Sequence, residues 1–147
     1  MKPVVPLIFD IESSGLDPFI SKVASICLKN PLTNQLFVFC NGRDEKKTLE
    51  EFWVFVRSNE PVDLIGFCSN TFDIPYLLRR SIIQDVKVYT QFQTKDLRKI
   101  ANGFFYSYNS HEPGKLVDWA SALGFQRKTS LGSEVPELYA QDKFDEI

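Results

Sequence analysis

Asp10 and Glu12 stand two residues apart at the end of the apolar run Val4-Val5-Pro6-Leu7-Ile8-Phe9. On a β-strand, residues i and i+2 point to the same face. A strand here delivers two carboxylates, side by side, to one spot. Two adjacent carboxylates repel unless positive charge lies between them. A hard divalent cation with a preference for oxygen ligands, such as Mg²⁺, answers that need. The pair therefore predicts a metal site.

A third carboxylate follows in Gly66-Phe67-Cys68-Ser69-Asn70-Thr71-Phe72-Asp73-Ile74-Pro75-Tyr76-Leu77. A buried strand ends near Cys68, a polar loop follows, and Asp73 opens a helix. An Asp in that place has two readings: a helix cap, or a further ligand beside Asp10 and Glu12. The second gains weight from the strands. Residues 4–11 and 63–68 are the two most apolar, so they are expected to be central and adjacent in one sheet. Asp73 then lies at the same sheet end as the first pair.

The elements that must position these groups follow from pattern. Residues 4–11 read as a buried strand, 22–29 as a second and 36–39 as a third, joined as an antiparallel meander near a sheet edge. Thr48-Leu49-Glu50-Glu51 has capping-box spacing and predicts a helix to about Arg57, with Leu49, Phe52, Trp53 and Val56 on its core face. Residues 63–67 form a short buried strand. Residues 73–83 form a helix with Pro75 in its first turn, where proline is tolerated. A small strand is expected over 86–89 and a short helix over 96–101, closed by Asn102-Gly103. Another helix is expected over 115–123, ended by Gly124. Two more helical starts fall at 134–141 and 143–147. The order predicts a mixed sheet with helices packed on it, an α/β fold.

A chain of 147 residues, 44% hydrophobic with 13 Phe, suits one domain with a substantial core. No run of about 18 apolar residues suggests a membrane span, and the N-terminus lacks a signal-peptide pattern. Cys27, Cys40 and Cys68 are odd in number and lack metal-ligand spacing, so they read as reduced, mostly buried thiols of a cytoplasmic protein. The net charge of −2 argues against a broad basic surface. Arg79-Arg80, Lys95 with Arg98-Lys99, and Arg127-Lys128 read as solvated faces.

Two segments resemble a known family. Phe9-Asp10-Ile11-Glu12-Ser13-Ser14-Gly15-Leu16 resembles the first motif of the DEDD-superfamily 3′–5′ exonucleases, which are ribonuclease H-like. The stretch from Gly66 to Leu77 resembles their second motif in the form found in family B DNA polymerases. Asp96-Leu97-Arg98 fits the segment that follows, and Lys115–Gly124 resembles the helix preceding the third motif. The chain is most similar to stand-alone proteins related to the family B proofreading domain.

The resemblance implies a ribonuclease H-like mixed sheet, a three-stranded antiparallel meander plus parallel strands, with helices on both faces. It implies Mg²⁺ or Mn²⁺ at a two-metal site held by Asp10, Glu12 and Asp73. It further implies hydrolysis of phosphodiester bonds at 3′ ends of single-stranded DNA or RNA. Leu16, Asn70 and Phe72 would surround the terminal nucleotide, with Leu16 wedged against the base and Phe72 stacked on it; ordinary core packing is the other reading of Leu16 and Phe72.

The family's third motif, a Tyr or His followed by a fourth Asp, is not found. His111 has no carboxylate at the family's spacing, Tyr139 meets Asp142 one residue early, and Tyr108 with Glu112 falls in the wrong region. Lys143–Ile147 resembles the start of the helix that carries this motif. The expectation is a single exonuclease-like domain over 1–147, truncated before the last catalytic helix. Its nuclease activity is then weak or absent. The alternative is a non-catalytic module that grips nucleic acid or protein. A homodimer or partner covering the site of the missing helix is a further expectation.

Overall fold

The computed structural model describes residues 2–89, 91–104, 114–125 and 132–147. Among the described residues five strands form one sheet: β1 (Val5–Ser13), β2 (Val23–Lys29), β3 (Leu36–Phe39), β4 (Val62–Gly66) and β5 (Gln93–Asp96), in the order β3-β2-β1-β4-β5. β1 pairs antiparallel with β2, and β2 with β3. β4 lies parallel to β1, with Val5 opposite Val62 and Ile8 opposite Ile65, and β5 lies parallel to β4. The two most apolar strands are thus adjacent, and their carboxyl ends share one edge of the sheet. That edge is where open α/β sheets present their ligand crevices.

β1 alternates cleanly. Leu7, Phe9 and Ile11 are buried, while Ile8, Asp10 and Glu12 face the other side. The buried side packs on α1 (Glu45–Ser58) and α2 (Asp73–Ile83) through Leu49, Phe52, Trp53, Val56, Tyr76 and Leu77. Each such side chain, fully buried, contributes about 1.5–3 kcal/mol. Trp53 Nε1 donates to Ser81 Oγ at 2.9 Å, which ties α1 to α2 inside the core. Three further helices follow: α3 (Leu97–Phe104), α4 (Leu116–Ala122) and α5 (Val135–Ala140). Val135 and Tyr139 of α5 bury against Ala24 of β2 in a second, smaller cluster. Phe144 and Ile147 border Ser25 and Cys27, the residues opposite Glu12 and Asp10. The C-terminal segment therefore covers part of the carboxylate-bearing face.

Several expectations need correction. α1 begins at Glu45, not Thr48, because Asp44 caps it by accepting from Lys47 N at 3.1 Å. Thr48 instead lies within the helix and accepts from Asn41 N at 3.0 Å. The fifth strand is Gln93–Asp96, and 86–89 is not a strand. Val86 closes the turn after α2 by donating from its N–H to Ser81 O at 2.8 Å. A polar edge strand such as Gln-Thr-Lys-Asp has no apolar alternation to announce it, and its ladder to β4 is a tertiary fact. α3 runs through Asn102-Gly103 to Phe104 instead of ending before them. The three cysteines are half-buried. Arg80 is not solvated: it is 4% exposed.

Candidate functional site

The end of β1 carries Asp10, exposed, and Glu12, half-buried. The ladder to β2 shifts register between Glu12 and Ser13. A bulge of this kind re-aims side chains at a strand end and is frequent beside active sites. Beyond β4 the chain turns through Cys68, whose φ of +64° is left-handed, and enters α2. Gly66 is required at that turn. A Cβ there would stand 2.6 Å from Ser69 Cβ and 3.2 Å from the Phe9 carbonyl.

Asp73 is the first residue of α2, and Phe72 takes the cap position without a side-chain bond. Capping is therefore not the role of Asp73. It is 5% exposed. Burial, and next the negative charge of Asp10, push its carboxyl up to about 7, against the opposing pull of its own backbone and that of Ile11. The fold thus brings Asp73 onto the end of β1 beside Asp10.

Glu12 opens on an adjoining cleft of about 500 Å³ whose walls include Gly15, Leu16, Phe72, Gly132 and Pro136. A Cβ on Gly132 would stand 3.6 Å from Glu12 Oε2, an ordinary van der Waals contact. Leu16 is 82% exposed, so its core reading is overturned. Phe72 is half-buried: it packs on the core and against Tyr76, ring centroids 5.4 Å apart, while lining the cleft. Asn70 is exposed on the loop before α2, outside the cleft lining.

One organising residue escaped sequence reasoning. Asp96 is 4% exposed and lies at the end of β5. Its Oδ1 accepts from Cys68 N at 3.1 Å and Arg98 N at 3.0 Å, and its Oδ2 from Asn70 N at 3.2 Å. These bonds hold the loop that delivers Asp73, and they occupy both oxygens of the carboxylate. Asp96 is therefore a scaffold for that loop, and its charge also reaches Asp73. In sequence it appeared only at the start of an expected helix and within the Asp96-Leu97-Arg98 resemblance, neither of which announced its bonds to the 68–70 loop. Asp96→Ala is expected to cost about 2–4 kcal/mol, since several charge-assisted bonds are lost together. Hydrogen exchange should quicken first at the amides of Cys68 and Asn70. Unchanged protection of those two amides would count against the assignment.

The donors fit a hard cation. All are carboxylate oxygens, and a positive charge between Asp10 and Asp73 would remove the repulsion that raises Asp73. Among the described residues no group of three or more His, Cys, Asp or Glu is gathered tightly enough to hold a metal ion. Asp10 and Asp73 are brought together, while Glu12, two residues further along β1, lines the cleft wall.

The weighed third-motif candidates divide. Tyr139 lies in the smaller core cluster under Arg43, whose guanidinium carbon sits 4.7 Å above its ring, and Asp142 pairs with Arg43 at 2.6 Å. Both are committed to packing α5. Tyr108, His111 and Glu112 lie outside the described residues, as do Arg127 and Lys128. Among the described residues no helix is long and apolar enough to cross a membrane.

A family model of the RNase_H superfamily matches residues 7–144. An uncharacterized protein of Methanocaldococcus jannaschii is 32% identical over 144 residues, spanning 95% of this chain and 77% of that protein. Among solved structures, the family B DNA polymerase of the archaeon Pyrobaculum calidifontis superimposes with a TM-score of 0.78 at 24% identity, over 99% of this chain and 22% of the polymerase. E. coli Exonuclease I in complex with a dA16 oligonucleotide superimposes with a TM-score of 0.63 at 13% identity, over 97% and 40% respectively. The chain thus spans about a fifth and two fifths of the two solved proteins.

Proposed function

Because the chain belongs to the RNase_H superfamily, we propose that it is a nuclease-type domain acting on single-stranded nucleic acid, with a divalent-cation site at Asp10, Glu12 and Asp73. The fold is the ribonuclease H-like fold of 3′–5′ exonuclease domains, and the superimposed Exonuclease I carries an oligonucleotide. The observation that carries the reading is that the fold places Asp73, buried at the start of α2, beside Asp10 at the end of β1.

Asp10 and Asp73 would hold Mg²⁺ or Mn²⁺, with Glu12 contributing from the cleft wall. When bound, such cations supply an activated water and neutralise charge on the scissile phosphate. The chain's own groups do the rest. Leu16 bears on the terminal base, and Phe72 offers its face for stacking. The product would be a nucleoside monophosphate released from a 3′ end. The fourth carboxylate and its Tyr or His partner are not among these residues. Without them no side chain would orient the attacking water or accept its proton, and turnover by this stretch alone would be slow.

The second reading is a module that grips the strand without cutting. It is favoured by the lack of a closed three-carboxylate group among the described residues. A 5′-labelled single-stranded oligonucleotide with Mn²⁺ decides between them. Slow trimming from the 3′ end, well below a typical enzyme's rate of about 10 s⁻¹ and lost in Asp10→Ala, is the expected result. Binding with no trimming selects the second reading. Absence of binding rejects both, and fast trimming rejects the argument from the missing carboxylate.

A further inference from the structure

The loop between β1 and β2 holds three large apolar side chains in solvent: Leu16 at 82% exposure, Phe19 at 72% and Ile20 at 83%. Exposed apolar residues on a slack loop usually fold down on the nearest core. Here the backbone is fastened from beneath, so they do not. Tyr76 Oη donates to the Gly15 carbonyl at 3.0 Å, and Arg80 Nη1 donates to the Pro18 carbonyl at 2.9 Å. Ser21 N donates to Asp17 O at 2.9 Å, and Phe19 N to Asp17 Oδ1 at 2.9 Å, which closes the turn on itself. At the loop base, Ser14 N reaches Lys22 O and Lys22 N reaches Ser14 Oγ, both at 2.9 Å. Gly15 is needed in this packing, since a Cβ there would stand 2.5 Å from Ser21 Oγ. Two helix side chains, Tyr76 and Arg80, themselves almost fully buried, thus support a loop whose apolar tips point outward.

We propose that Leu16, Phe19 and Ile20 form a platform on which successive unpaired bases of a single-stranded nucleic acid rest. The inference builds on the proposed function and extends it to the nucleotides beyond the terminal one. Continuity carries the choice of occupant. Leu16 lines the cleft that begins at Glu12, and Phe19 and Ile20 follow it in sequence on the same loop, which Tyr76 and Arg80 fasten from beneath. A strand whose last phosphodiester lies at the carboxylates leaves the cleft across this wall. Bases present apolar faces of any sequence, and stacking on such side chains is sequence-tolerant. Paired bases hide those faces, so the platform selects single strands over duplex. Lys22 is exposed at the loop base and would supply positive charge for the backbone phosphates.

The test uses the full chain, Ca²⁺ in place of Mg²⁺, and fluorescence anisotropy with a 5′-labelled dT8. In the Phe19→Ser/Ile20→Ser variant the dissociation constant should rise about tenfold, from the loss of stacking on one or two bases. The melting temperature should stay within about a degree, because both side chains are exposed. In the wild type, abasic sites at the second and third nucleotides from the 3′ end should weaken binding to the same extent. The variant should lose nothing further on that abasic strand, and its preference for dT8 over a blunt duplex should shrink. Undiminished dT8 binding by the variant overturns the platform while leaving the site intact. A wild type that dimerises with concentration and a variant that does not, with dT8 affinity equal in both, would assign the patch to a second copy and overturn it as well. Failure of the wild-type chain to bind dT8 at all overturns the nucleic-acid reading, and the platform with it.

Discussion

Replacing Asp73 with Asn is expected to make the protein more stable at pH 8, not less. In the folded state the carboxyl titrates near 7, against 3.8 for an unperturbed Asp. Between those values the unfolded chain has released a proton that the folded chain still holds. Stability therefore falls as pH rises from about 4 to about 7 and levels off above. A displacement of about three pKa units corresponds to roughly 4 kcal/mol at 1.36 kcal/mol each. Asn removes the charge, so the variant should recover about 2–4 kcal/mol at pH 8, or roughly 5–10 °C in melting temperature for a chain of this size. At pH 4 the two proteins should melt together.

The same reasoning predicts a metal signature. Mn²⁺ at about one hundred times its dissociation constant should stabilise the wild type by roughly 2.7 kcal/mol. The increment should vanish in Asp73→Asn. Thermal denaturation at pH 4 and pH 8, with and without Mn²⁺, reads all four states. A variant less stable than wild type at pH 8 would refute the electrostatic account. A Mn²⁺ increment that survives the substitution would remove Asp73 from the cation site. The trade between stability and function that this describes is common where like charges are gathered for a ligand.

Arg80→Met is the second substitution with a large expected effect, in the opposite direction. Arg80 and Glu45 form a bidentate pair inside the protein, Nε to Oε1 at 2.8 Å and Nη2 to Oε2 at 2.5 Å, with side chains 5% and 2% exposed. Glu45 also accepts from Val23 N at 2.7 Å and Gln84 Nε2 at 3.0 Å. One carboxylate thus joins the first turn of α1, the start of β2 and the end of α2. Through the Pro18 carbonyl, Arg80 extends the network to the 14–22 loop. Removing the guanidinium leaves a buried, uncompensated negative charge, and about 3–5 kcal/mol of stability should be lost. The double variant Glu45→Leu/Arg80→Met should recover much of that, because an apolar pair needs no desolvation of charge. Urea unfolding of the two variants distinguishes the cases. A double variant as unstable as Arg80→Met would mean that the bonds to Val23 and Pro18, and not the orphaned charge, dominate.

Much of this molecule was legible before any fold was known. The i, i+2 spacing of Asp10 and Glu12 required only that Val5–Ser13 be a strand, and its apolar alternation ensured that. α2 runs over Asp73–Ile83 as its pattern predicts, with Pro75 in the first turn. The adjacency of β1 and β4 followed from their being the most apolar strands. Local period and side-chain chemistry sufficed for each of these.

Other features depended on contacts between distant residues. β5 is polar and exists because β4 offers it an unpaired edge. Asp96 stands in sequence at the start of an expected helix and becomes the anchor of the 68–70 loop only when β5 lies beside β4. Arg80 sits in a basic dipeptide that looks solvated, and Glu45 precedes the expected start of its helix. Their pairing across 35 residues has no local signature.

The sequence by itself determined that Asp10 and Glu12 share one face at the end of β1 and that Asp73 opens α2, because strand period and helix start are local properties. Only the tertiary structure decided their electrostatic state and their surroundings. Burial and charge proximity are sums over all neighbours in space. Asp73 is raised because α2 docks on β1 beside Asp10, and Leu16, Phe19 and Ile20 stay in solvent because buried groups of α2 hold their loop from below.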